Sequence, residues 1–267
     1  MLNKVGTEII HIDFYHLVSG YLMLIIPIGF FYYFKVDLIK SSLISVFRMS
    51  IQLLLVGFYL ESIFRINSAW INSLWVLAMV IVGVYTTIQR VKIRVRYFIL
   101  PLTMALLTSI IVICIFFFIA VLRMHNIFDA RYFIPVAGMI LGNAMNYNIM
   151  SLNTYFDGLV REENLYYFLL INSGDSKSAL RPFIRSAMSK ALNPLIGTMM
   201  VMGIISLPGM MTGQILGGSL PTTAIKYQIL IAIAIFSAGT LNLALSIIFS
   251  NRFVFDKFGR LNKNVLK

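Results

Sequence analysis

The chain has 267 residues, 59% of them hydrophobic and 12% charged, with a mean hydropathy of +0.87. Soluble domains carry roughly 25% charged residues and fewer long apolar runs, so composition excludes a water-soluble enzyme. The net charge of +12 is not a nucleic-acid signature, because the basic residues sit in short loops between apolar runs.

A bilayer core of about 30 Å needs roughly 20 apolar residues in a helix. The first run that qualifies follows Glu8 and Asp13 and has no small-residue cleavage site after it, so it reads as a retained span rather than a signal peptide. His11 and His16 bracket Asp13 just before it, and His125 falls in a later outer loop. They read as interfacial side chains, with a metal-sampling cluster as the sharper alternative. Seven spans fit in chain order, at 17–34, 43–60, 70–88, 98–122, 133–152, 191–207 and 227–249. The fourth is the most uniformly apolar and the fifth the most polar. Cys114, the single cysteine, lies in the fourth and excludes an intramolecular disulfide. Trp70 and Trp75 read as interfacial anchors.

Lys and Arg divide unequally between the two sides. One side carries 16 of them, after the odd-numbered spans; the other carries 5, namely Lys4, Arg65, Arg123, Arg131 and Lys226. The basic side is expected to be cytoplasmic, which puts the N-terminus outside and the C-terminus inside. The reading is an all-α, polytopic transmembrane helix bundle with about seven spans, one domain over 1–267. Within it a hydrophilic cytoplasmic segment, 157–190, reads as a helical hairpin broken at 173–176.

Three stretches stand out chemically. Arg48 and Gln52 lie one turn apart inside the second span, on one helix face. A guanidinium at the centre of a membrane helix costs about 2.5–3.5 kcal/mol, so that face is expected to turn inward. Gating, substrate contact and snorkelling to the headgroups remain open for Arg48. The run 135–146 contains Gly138 and Gly142, spaced for close helix contact, with Asn143, Asn146 and then Asn148, which need hydrogen-bond partners in hydrocarbon. They serve either as packing glue or as the lining of a path. The uncharged, Gly- and Pro-rich run 206–221 reads as a broken or re-entrant element, in which Met210, Met211 and Gln214 offer thioether and amide ligands. No metal set can be assigned from these residues. There is no phosphate-binding loop, zinc-binding His pair or nucleophile elbow. An active transporter built on this chain would draw its energy from a partner or an ion gradient.

The runs Arg48-Met-Ser-Ile-Gln-Leu-Leu-Leu-Val-Gly57, 135–146 and 206–221, followed by Lys226-Tyr-Gln-Ile229, resemble the FetB family. These are permease subunits of bacterial ABC-type iron exporters, similar to plant aluminium-tolerance proteins. The resemblance covers about 15–250. It implies a bacterial inner-membrane permease, working as a homodimer with a separate ATP-binding subunit that binds the ATP, and no cofactor in the permease itself. It also implies that 169–179, around Gly174 and Asp175 with Arg181 and Arg185 beyond, couples to the ATPase. One departure from the family is that the acidic residue usual before the loop glycine is replaced by Tyr167 and Phe168, while Glu162 and Glu163 lie earlier. The alternatives are a stand-alone gradient-driven metal transporter or channel, disfavoured by the lack of a carboxylate within the spans, and a membrane enzyme, disfavoured by the missing motifs.

Overall fold

A computed structural model describes residues 13–256 and 258–262. Lys4, Glu8, His11, Lys257, Lys263 and Lys267 lie outside the described residues. Helices α1 (Phe14–Tyr21) and α2 (Ile25–Tyr33) are joined by a 3-10 turn and make one apolar rod, Tyr15–Tyr33. Then follow α3 (Ile39–Ile66), α4 (Ala69–Val91), α5 (Val95–Ile115, continued by a π-turn to Val121) and α6 (Ala130–Arg161). After these come α7 (Glu163–Ser173), α8 (Ser176–Val201), the short α9 (Gly209–Leu216) and α10 (Pro221–Val254). Among the described residues the rest is turn and loop, with two isolated bridges, Met202–Ser206 and Phe255–Leu261.

The helix ends follow local chemistry. Asp129 caps α6 by accepting from the Arg131 N–H at 3.1 Å, and Pro221, which has no N–H to satisfy, opens α10. Asn67 and Lys92 take left-handed φ of 42° and 58° and close α3 and α4. The Asn67 Oδ1 then accepts from the Ala130 N–H at 2.9 Å, and Asn72 Nδ2 donates to the Phe128 carbonyl at 2.7 Å. These bonds pin the turn between α3 and α4 to the start of α6.

The core is formed by α4, α5, α6, α8 and α10, with α7 across one end; α6 lies among α4, α8 and α10, and α5 packs on α4 and α10. Ala130, Ala137 and Ala144 of α6 are fully buried, and such small residues let helix backbones approach closely. Contacts reveal direction. A side chain at Gly138 would meet Met79, and one at Gly83 would meet Leu141, so α4 and α6 run parallel. Asn148 meets Ser246 and, further along, Tyr155 meets Asn251, so α6 and α10 run parallel too. The C-terminal ends of α4, α6 and α10, with Arg90, Arg161 and Arg252, therefore lie together. The polypeptide after α10 folds onto the same end, where the Tyr166 hydroxyl donates to the Gly259 carbonyl at 2.9 Å.

Among the described residues five helices are long and apolar enough to cross a membrane: Tyr15–Tyr33, α3, α4, α5 with its π-turn, and α10. The expected span at 133–152 falls within α6, of 32 residues, whereas α8, of 26 residues, covers only 191–201 of the expected 191–207; neither helix is among those five. Asparagines interrupt the apolar character of α6, and α8 opens with Lys177, Arg181, Arg185 and Lys190. Helices α3, α4, α6 and α10 overrun their expected spans at both ends, α10 by several residues, because backbone hydrogen bonding continues past the apolar stretch. The first rod ends at Tyr33, α5 with its π-turn at Val121 and α8 at Val201, before the expected ends. The run 206–221 holds α9 between irregular flanks.

The first three helices stand apart from this core. In the most apolar windows of Tyr15–Tyr33 and α3 no residue is buried, and Ile63 is the one buried residue of α3. A Tyr21–Ser50 hydroxyl pair joins the first rod to α3, and Tyr59 on α3 packs on Trp75 of α4 with ring centroids 4.4 Å apart.

Candidate functional site

Because α3 leans on α4 and α6 near Tyr59 and Ile63 without packing along its length, a groove of about 780 Å³ opens between the three helices. From α3 it is lined by Arg48, Met49, Gln52 and Tyr59, from α4 by Trp75, Met79 and Thr86, and from α6 by Gly138, Gly142 and Met145, with aliphatic side chains between. The wall is formed because Gly138 and Gly142 leave α6 without side chains there; the Met79 methyl occupies the space beside Gly138.

Arg48 and Gln52 thus share a face, but that face is open in the single chain rather than sealed inside the bundle. Arg48 makes no hydrogen bond or ion pair with the described residues; the ion pair nearest along the helix is Arg65–Glu61, at the other end of α3. Measured along the axis, Arg48 lies about 7 Å from the midpoint of α3 at 1.5 Å per residue. Trp75, expected as an interfacial anchor, is half-buried against Tyr59 and lines the groove, whereas Trp70 is exposed.

The other expected path residues are not gathered there. Asn143 turns back on its own helix, donating to the Met139 carbonyl at 2.9 Å and accepting from the Tyr147 hydroxyl at 3.2 Å. Asn146 is exposed on α6. Met210 and Gln214 are half-buried and Met211 buried in α9, which packs on α10, and none of the three lines the groove. His16 Nδ1 accepts from the Asp13 N–H at 3.2 Å and so helps to cap α1, while His125 is exposed. Among the described residues no group of three or more His, Cys, Asp or Glu is placed to hold a metal.

At the basic end, α7 and α8 are separated by Gly174, whose φ of +64° is one that other residues adopt only at a cost, and by Asp175. Asp175 caps α8, accepting from the Lys177 N–H at 3.2 Å and the Ser178 N–H at 3.1 Å. Those two N–H groups, Lys177 first, hold its carboxyl below the ordinary range. Arg181 and Arg185 follow on the exposed face of α8 beside Ser178, Ser186 and Ser189.

A second polar feature escaped the reading of the sequence. Between α6 and α10 runs a buried seam in which Asn148 Nδ2 donates to Ser246 Oγ at 3.0 Å and the Tyr155 hydroxyl to Asn251 at 2.8 Å. Ser151, Asn242, Ser246 and Ser250 are fully buried, and Asn148 Oδ1, Ser151 Oγ and Ser250 Oγ have no partner. The signal was present in α10, where Asn242, Ser246 and Ser250 recur every four residues on one face.

Apolar helices joined by short basic turns, with polar side chains drawn into a groove and a seam, define an integral membrane protein of the helical-bundle class. The chain belongs to the UPF0014 family, an uncharacterised protein family, which it matches over 14–255. It is 30% identical over 233 residues to the UPF0014 membrane protein YjkA of Bacillus subtilis, covering 86% of this chain and 91% of the relative. It is 31% identical over 208 residues to the "Probable iron export permease protein FetB" of Escherichia coli, covering 78% and 79%. It is also 34% identical over 200 residues to the Protein ALUMINUM SENSITIVE 3 of Arabidopsis thaliana, covering 74% and 71%. No solved structure matches the chain.

Proposed function

We propose that the chain is the membrane-spanning permease subunit of an ABC transporter that exports iron or another metal, driven by ATP hydrolysed on a separate subunit. The observation that carries this reading is membership of a family that includes a protein described as a "Probable iron export permease". The fold supports the accompanying topology. On this reading the parallel helices α4, α6 and α10 cross in the same sense, with α5 returning between α4 and α6, and α8 between α6 and α10. With Tyr15–Tyr33 and α3 that makes seven spans. The basic ends of α4, α6 and α10 then face the cytoplasm, with the N-terminus outside and the C-terminus inside, in the bacterial inner membrane.

On this reading the α7–α8 hairpin at the basic end is where the ATPase docks. Gly174 and Asp175 form its tip, and Arg181 and Arg185 present fixed charge beside it. Two permeases and two ATPases make the complex, and alternating access opens the α3–α4–α6 groove to one side and then the other. Among the described residues no carboxylate lines the groove, so a carboxylate proton relay has no group there, which favours ATP over a proton gradient. The test is a mild-detergent pull-down of the tagged protein from native membranes, followed by mass spectrometry and an ATPase assay. Recovery of one ATP-binding subunit with vanadate-sensitive hydrolysis is expected. Clean isolation without an ATPase across several detergents would overturn the ABC reading.

A further inference from the structure

We infer that the α3–α4–α6 groove receives its cargo as a small anion, so that a metal passes as a carboxylate complex and not as a free cation. This rests on the transport reading and narrows it to one charge class.

Arg48 is the one formally charged side chain in the groove lining, and it has no counter-charge among the described residues. An unpaired guanidinium at this depth is costly unless something compensates it. An arriving anion would do so, because the planar fork of Arg matches a carboxylate in a bidentate pair. A free metal cation would meet like charge instead. Among the described lining residues it would also find no carboxylate, imidazole or thiolate to offset its charge: the oxygens of Gln52, Tyr59 and Thr86 are neutral, and the thioethers of Met49, Met79 and Met145 suit soft ions rather than oxygen-seeking iron(III) or aluminium(III).

Donor chemistry and size agree with charge. Gln52, Tyr59 and Trp75 bring N–H and O–H groups to the same lining. Thr86 already donates its hydroxyl proton to the Val82 carbonyl at 2.8 Å. The volume of about 780 Å³ is that of a site for an organic molecule, and far exceeds what a single ion requires.

The test is equilibrium dialysis of the full chain in lipid nanodiscs, without an ATPase, against doubly labelled ferric citrate in excess citrate, labelled citrate alone, and ferrous ion under anaerobic conditions. Trp75 emission in a Trp70→Phe background reports whether binding occurs at the groove. Saturable retention of ferric citrate with both labels, quenching of Trp75, and little retention of ferrous ion are expected. Retention of citrate alone with equal affinity would identify the carboxylate itself as the recognised group, and preference for the doubly labelled species would identify the complex. Arg48→Gln should weaken binding by about tenfold or more, while Arg48→Lys, which keeps the charge, should retain most of it. Three results would overturn the inference: ferrous ion binding unchanged in Arg48→Gln, citrate species binding equally to both proteins, or no anion retained by the unaltered chain. A pull-down that recovers no ATPase would sink the ABC reading while leaving this measurement intact.

Discussion

Gly239 on α10 faces the ring of Tyr147 on α6 so closely that an added Cβ would lie 2.7 Å from Cδ2. Gly239→Ala should therefore force the ring or the helix aside and destabilise the protein by about 1–3 kcal/mol. Thermal unfolding in detergent would measure this, and Tyr147→Ala in the same chain should recover much of the loss. Arg48 makes no hydrogen bond or ion pair with the described residues, so under the proposed export function Arg48→Ala should abolish metal resistance in cells while the amount of protein in the membrane stays normal. Persisting resistance at normal levels would reduce Arg48 to a marker of membrane depth. Asp175 makes a pH prediction. Its folded-state carboxyl is held below the ordinary range by the Lys177 and Ser178 N–H groups, so its cap is fully present above the unfolded pKa. That contribution is lost only as pH falls through the depressed folded value. Asp175→Asn should remove this acid-dependent step from the unfolding profile while leaving neutral-pH folding largely intact.

Among the elements, the α6–α10 pair depends on polar contacts that hydrocarbon cannot replace. Removing one partner strands the other, so Asn148→Leu or Ser246→Ala alone should cost about 1–3 kcal/mol. The double variant should cost less than the sum of the two, and a double-mutant cycle on detergent unfolding reads the difference directly. Helix α3 is the opposite case. It is long and apolar enough to cross a membrane, but with only Ile63 buried it stays on the bundle through a few contacts near Tyr59, which leaves the groove beneath it open. The hairpin of α7 and α8 is set by chemistry within a few residues: a left-handed glycine and an aspartate cap turn the polypeptide between two helices.

For the whole molecule, the parallel course of α4, α6 and α10 puts their C-terminal ends at one end of the bundle, which the proposed topology places in the cytoplasm. A cysteine placed at Ser173 should be shielded from a membrane-impermeant maleimide in intact cells and labelled after lysis. One at Asn126, in the loop between α5 and α6, should be labelled in intact cells. The native Cys114 is buried, with 3% exposure, and should stay silent in both. Labelling of both sites from the same side would rule out seven spans.

Composition and hydropathy by themselves determined the membrane environment and most of the helices, because the bilayer rewards about 20 apolar residues wherever they occur and needs no partner to do so. The break at Gly174 was legible for a similar reason, since caps and left-handed turns are local. Only the tertiary structure decided that Arg48 and Gln52 line an open groove with Trp75 and Met145, that Asn143 is spent on its own helix, and that Met210, Met211 and Gln214 lie elsewhere. It alone paired Asn148 with Ser246 across 98 positions of sequence. Helix periodicity tells which residues share a face. Which neighbour that face meets depends on how the helices pack together, a property of their combined surfaces that no single stretch of sequence contains.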